Sequence, residues 1–353
     1  MQLLLFLIIG YLLAVVLGLR HLEEMEWYSL LTGILLTIGL YSSTYGIVLE
    51  EARKHARIIL SAITIGVIVK ALFIGIILAW VLHDPFYLIL GVLMAQIDPL
   101  SVSTLMHGSR LSAKAKTILA SWSSFDDPIT VIMALYVPLI AGKLLGIDWQ
   151  PVTDTALHDG GLIGYFSELG INIAYAAGVF VLWLLIKQFG KKAYKKTITI
   201  ASVILYGFLG MSLSIATYYF WMLSVALIGL FLRPPIEHII QQIVKWALRF
   251  AAVLLGILLV GGIEILSGLY LAIAAFTAQI FVGFLLTHGL SLKDRLHIAF
   301  AQQNGITAII LALLFEPAYP NTVAIIAPAI LFVNLIHWGA NKLLDSYILN
   351  KKN

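Results

Sequence analysis

Cysteine is absent from the 353-residue chain. Disulfides, thiolate metal sites and thiol catalysis are thereby excluded. Charge is scarce as well: Asp, Glu, Lys and Arg make up 11% of the residues, against about 25% in a soluble domain. Hydrophobic residues fill the space at 61%. The composition is that of an all-α polytopic membrane protein, with the lipid bilayer as its solvent. A net charge of +4 would suggest an anionic partner in a soluble protein, but here membrane topology accounts for it. No nucleic-acid partner and no cofactor are expected. Residues 3–19 lack a basic leading region and a small-residue cleavage site, so they read as a first helix and not as a removed signal.

A membrane span needs about 20 mainly apolar residues. Twelve fit, at 2–19, 27–48, 57–82, 86–106, 115–142, 168–187, 197–215, 217–232, 246–264, 268–288, 296–316 and 321–341. Nineteen of the twenty-two basic residues fall on alternate loops and the tail, from Arg53, Lys54 and Arg57 to Lys351 and Lys352. The opposite loops hold only Arg20 and Lys143, among several carboxylates. The positive-inside rule then puts both termini in the cytoplasm. A Gly- and Asp-rich loop over 143–167 divides an N-terminal five-helix half (1–142, core spans three to five) from a C-terminal seven-helix half (168–353, core spans ten to twelve).

The remaining basic residue, Lys70, lies mid-span, roughly 18 Å from either surface at 1.5 Å per residue. Its stem cannot snorkel that far, so it needs a buried carboxylate or an aqueous cavity. Three carboxylates are equally deep: Asp98 in span four and the adjacent Asp126 and Asp127 in span five. Each charge at a bilayer centre costs about 2.5–3.5 kcal/mol on insertion scales, which marks an ion or proton pathway.

Pro99 disfavours helix at Asp98 and removes an amide donor. Span four therefore reads as a helix broken at mid-membrane. Span eleven repeats the device with Gln302, Gln303, Asn304 and Gly305 in an apolar run. Spans four and eleven hold corresponding places if spans three to five answer ten to twelve. Paired interrupted helices of this kind are the sequence mark of an inverted-repeat transporter. The polar trio either caps the broken helix ends or touches the ion. His337 and Asn334 in span twelve read as interhelical hydrogen-bonding residues.

The sequence resembles the monovalent cation/proton antiporters, the sodium/proton exchanger fold in an Asp-Asp variant. The residues that carry the resemblance are Ile97-Asp98-Pro99, Asp126-Asp127-Pro128, the Gly108-Ser109-Arg110 turn and the polar-Gly break of span eleven. The resemblance implies a fold of inverted repeats with two broken, crossing helices. It implies Asp127 as the principal cation-binding and proton-exchanging carboxylate, with Na⁺ or K⁺ as the metal held there. Asp126 takes the place that is Asp or Asn in different branches. Asp98 balances half-helix N-termini or meets the ion, and Ser123 lends an oxygen. A homodimer in the plasma (inner) membrane of a prokaryote, working in pH homeostasis, is also implied.

Three departures stand out. Ile97 replaces the usual Thr, Trp122 replaces an acidic residue of one branch, and span ten carries Gln279 where a lysine pairs with the first aspartate in another. Lys70 is the candidate to supply that counter-charge from span three. The expected activity is exchange of Na⁺, Li⁺ or K⁺ for protons by competition at one carboxylate with alternating access. The departures leave open a transport-altered relative acting as a membrane effector, a sensor or a passive cation pathway. An intramembrane aspartyl protease also needs two aspartates, but its Tyr-Asp and Gly-x-Gly-Asp motifs are missing, so no enzyme is expected. The chain stops soon after span twelve, and regulation by a soluble domain is expected to need another subunit.

Overall fold

The computed structural model describes the chain except residues 1, 48, 99–101, 103–110, 153–161, 194–197, 302–304 and 351–353. Every regular element among the described residues is helical. In chain order they are α1 (Gln2–Leu17), α2 (Glu26–Tyr45), α3 (Leu49–Lys54), α4 (Ala56–Leu82), α5 (Tyr87–Leu93), α6 (Ala113–Leu145) and α7 (Leu162–Ala193). They continue as α8 (Ile198–Tyr218), α9 (Met222–Phe231), α10 (Glu237–Leu258), α11 (Ile265–Leu286), α12 (Leu292–Ala299), α13 (Ile306–Phe315) and α14 (Thr322–Asn350). Six of these segments are long and apolar enough to cross a bilayer, with four shorter apolar helices beside them. The ninth expected span begins earlier than its apolar run, because the amphipathic stretch from Glu237 extends the same helix.

The third expected span shows how the sequence orients a helix here. On α4, Lys70, Ile74 and Leu78 are buried, whereas Leu72, Ile76 and Trp80 are exposed. A spacing of four residues keeps each set on one face. The apolar face suits lipid, and the opposite face carries the lysine inward. Lipid is as apolar as leucine, so helices in it associate through close packing at small residues. At the α4–α5 crossing, a Cβ on Gly91 would overlap the backbone of Gly75. That approach holds Lys70 beside the chain that follows α5.

A helix ends ahead of each expected interruption. Helix α5 stops at Leu93, and the chain runs non-helically through Ala95 to Asp98. Helix α12 stops at Ala299, and α13 starts only at Ile306. A broken helix frees backbone groups that lipid cannot satisfy. The structure meets them with side chains. Gln96 donates to the Leu93 carbonyl (3.2 Å) and Gln279 to that of Ile298 (3.1 Å). The Phe300 carbonyl accepts from His337 Nδ1 (2.9 Å) and Asn341 (3.2 Å). His337 is thus an interhelical hydrogen-bonding residue that serves a helix break.

Two clamps fix the helix ends around this core. Arg233, just after α9, donates to the carbonyls of Gly229 (2.9 Å), Ile47 (2.7 Å) and Thr44 (3.1 Å). It thereby joins the end of α9 to the end of α2, where unpaired carbonyls and the helix dipole favour a cation. Tyr41 and Tyr45 add hydroxyl bonds to the Leu232 and Pro234 carbonyls.

The second clamp joins the starts of α6 and α12. Asp294 accepts from the Ser112 amide (3.0 Å) and hydroxyl (2.8 Å), while Ser112 and Ser291 each cap their own helix. Asp294 lies on the loop side of its span. Burial pushes its carboxyl up, but the Ser112 donors outweigh that and hold it below the usual carboxylate range. A lowered folded-state pKa gives stability that is present above the unfolded value and lost as pH falls through the folded one. Asp294→Asn is therefore expected to lower stability at neutral pH by about 1.5–3 kcal/mol, the worth of hydrogen bonds to a charged group. Melting of wild type and variant in detergent from pH 7 to pH 3 checks this. The gap should narrow at the acid end, and a constant gap would contradict it.

Candidate functional site

The four deep charges converge where α4, α6 and the chain after α5 meet. Lys70, Asp126 and Asp127 have no solvent exposure, and Asp98 has 6%. Neighbours on a helix point about 100° apart, so Asp126 and Asp127 face different surroundings.

Asp126 faces α4 and is saturated. Lys70 Nζ lies 2.6 Å from its Oδ2. The Ile97 amide donates to the same oxygen at 2.9 Å, and the Trp122 indole N–H donates to Oδ1 at 3.2 Å. Trp122 also places its ring 5.3 Å from the Lys70 ammonium, within the range of cation–π attraction. Two of the sequence departures are thus partners of Asp126. Ile97 brings no side-chain oxygen, but its backbone serves, and Trp122 supplies a donor.

Asp127 faces α2 and α13. Thr307 Oγ1 donates to its Oδ2 at 2.8 Å, and Ser43 Oγ stands 3.5 Å from that oxygen. The other oxygen, Oδ1, is buried with no hydrogen-bond partner among the described residues. Pro128 follows within the helix and has no amide to bond the Ser124 carbonyl one turn back. Asp127 therefore sits beside hydroxyl and carbonyl oxygens, with no cation paired to it among the described residues.

Asp98 lies at the break. Gly305, the residue that opens α13, packs against it so closely that a Cβ there would overlap the Asp98 carboxylate. The negative group stands at the positive end of a half-helix, where the dipole favours it. Only glycine allows that approach.

Ser123 is buried, but its hydroxyl donates to the Ala120 carbonyl at 3.1 Å and not to either aspartate. Gln302, Gln303 and Asn304 lie outside the described residues. Gln279, in the place of the lysine, supports the end of α12. The residues that pattern reading passed over are Ser43 and Thr307. Thr307 is a lone hydroxyl in the apolar run after Gly305, which was the available signal. Ser43 is hidden in the Ser42-Ser43-Thr44 cluster of span two.

Chemically, the site divides an acidic pair. One carboxylate is neutralised by an ammonium and held by two further donors. The other keeps an open oxygen and hydroxyl neighbours, the donor type that a hard cation takes. Such a donor set suits a proton or a hard cation.

No protein-family model matches the sequence, and no curated protein sequence matches it. Solved structures do. The sodium proton antiporter MjNhaP1 from Methanocaldococcus jannaschii, in its structure at pH 8, superposes with a TM-score of 0.61 at 18% identity, covering 97% of this chain and 97% of that one. An electron-microscopy structure of the same antiporter gives 0.65 at 19% identity, covering 98% of this chain and 91% of that one. The likeness establishes the fold over nearly the whole length.

Proposed function

We propose that this chain, built on the fold of a sodium/proton antiporter, is a secondary active transporter that exchanges a monovalent cation for protons at Asp127. The observation that carries the reading is the buried, open oxygen of Asp127 beside an Asp126 already matched by Lys70. A carboxylate so placed holds a proton or a dehydrated cation, and alternating access turns that competition into exchange.

In this reading Lys70 is the fixed counter-charge of Asp126 and takes over the task of a span-ten lysine. Asp98 balances the N-terminus of α13. Ser123 lends an oxygen, and Gln302, Gln303 and Asn304 are the polar residues of the second break, which cap helix ends or meet the ion. The chain has twelve spans in two inverted halves, with the interrupted helices crossing at mid-membrane. Both termini are cytoplasmic, and two copies assemble in the inner membrane of a prokaryote. The substrates are Na⁺, Li⁺ or K⁺ against protons.

Everted vesicles test the reading. Respiration builds a pH gradient, and each cation is then added in turn. At least one of Na⁺, Li⁺ or K⁺ is expected to dissipate the gradient in vesicles carrying the protein and not in empty ones. No response to any of the three would refute exchange. Dissipation without added cation would favour a passive proton pathway.

A further inference from the structure

Asp127 is met by hydroxyls from two other helices. Thr307 lies in the first turn of α13, and its 2.8 Å bond to Asp127 is the contact its hydroxyl makes among the described residues. Ser43 on α2 is farther, at 3.5 Å, and also donates to the Gly39 carbonyl at 2.9 Å. Thr130, one turn along α6 from Asp127, buries a hydroxyl with no partner among the described residues.

A hard cation needs several oxygens, and one carboxylate offers two at most. Neutral oxygens must complete the shell. A hydroxyl has one hydrogen and two lone pairs, and its hydrogen turns to suit. Thr307 can therefore donate to the empty, ionised carboxylate, accept from the protonated one, and give a lone pair to a cation. It does so from the helix that starts after the second break, whose opening Gly305 is packed on Asp98.

From this geometry we propose that Thr307 is a direct ligand of the transported cation, supplied to Asp127 by the second interrupted helix. The proposal rests on the antiport reading of Asp127 and extends it to a residue on α13. Cation binding then ties the first turn of α13 to α6, so that occupancy of the site bears on how the two interrupted segments sit.

Two substitutions separate ligation from packing. Thr307→Val keeps the shape and removes the hydroxyl, while Thr307→Ser keeps the hydroxyl and removes a methyl. Half-saturating Na⁺, Li⁺ and K⁺ concentrations are measured at one fixed pH in everted vesicles. Thermal stabilisation of the detergent-solubilised protein by the same three salts gives binding without transport. Thr307→Val is expected to raise the half-saturating concentration of the transported cation about tenfold in both measurements, the effect of one lost polar contact. Its maximal rate should stay within about threefold, and Thr307→Ser should stay near wild type on both counts. An unchanged half-saturation in Thr307→Val, or an equal loss in Thr307→Ser, overturns the proposal. If wild type neither exchanges nor gains stability with any of the three cations, the antiport reading falls and takes this ligand with it. If wild type responds and Thr307→Val matches it, only the ligand falls.

Discussion

Asp127→Asn is expected to stop cation-driven proton movement and to leave the protein folded. The amide has the shape of the carboxylate, and its oxygen can still accept from Thr307, so packing around α2, α6 and α13 is retained. What disappears is the charge and the proton that replaces it. A unit charge 4 Å from a cation is worth about 4 kcal/mol at an effective dielectric of 20, or roughly a thousandfold in binding. Transport at ordinary cation concentrations then drops to background. The everted-vesicle assay reads the activity, and a size-exclusion profile in detergent reads the fold. Exchange that persists in the variant would move the carrier elsewhere, with Asp98 the next candidate. Asp126→Asn makes the contrast: it should disturb stability more than Asp127→Asn, because it leaves the Lys70 ammonium buried without its counter-ion.

The second large effect is on Lys70. Removing one partner of a buried ion pair leaves an uncompensated charge and costs about 3–5 kcal/mol. Lys70 and Asp126 are both fully buried and 2.6 Å apart, so Lys70→Met is expected to lower the melting temperature sharply or to reduce the yield of folded protein. Where protein survives, its transport should vary with pH differently from wild type. Adding Asp126→Asn to Lys70→Met removes the stranded charge and should restore much of the stability. That recovery distinguishes a charge effect from lost packing of the lysine stem. A single Lys70→Met variant as stable as wild type, with the same pH profile, would remove Lys70 from the site.

Sequence made the charges legible because insertion into a bilayer is costly, so Lys70, Asp98, Asp126 and Asp127 stood out from an apolar background. Pro99 and the Gln302–Gly305 run marked the interruptions for the same reason: lipid tolerates no free backbone. The interruptions at Leu93 and Ala299 follow that pattern. What stayed hidden were contacts that cross between distant segments. Trp122 read as a missing acid, yet its indole N–H is an Asp126 partner. Ile97 read as a lost ligand, and the loss is real for the side chain, but a backbone amide has no sequence signature. Ser43 and Thr307 are ordinary hydroxyls for a membrane helix. Only the folding of α2 and α13 onto α6 gives them a common neighbour. Ser123 was given an oxygen-ligand role by the family resemblance alone, and its hydroxyl bonds the Ala120 carbonyl of its own helix.

Arg233 was counted with the basic residues that orient the chain, yet its guanidinium is committed to three backbone carbonyls at the ends of two helices. Charge-swap mapping is a usual way to establish which side of a membrane a loop occupies. At this position it would report something else. A substitution would unfasten the ends of α2 and α9 before any change of orientation could register, so reporter fusions beside Arg233 would read misfolding as inversion. The exposed Lys245 on the next helix is the sound place for such a reporter.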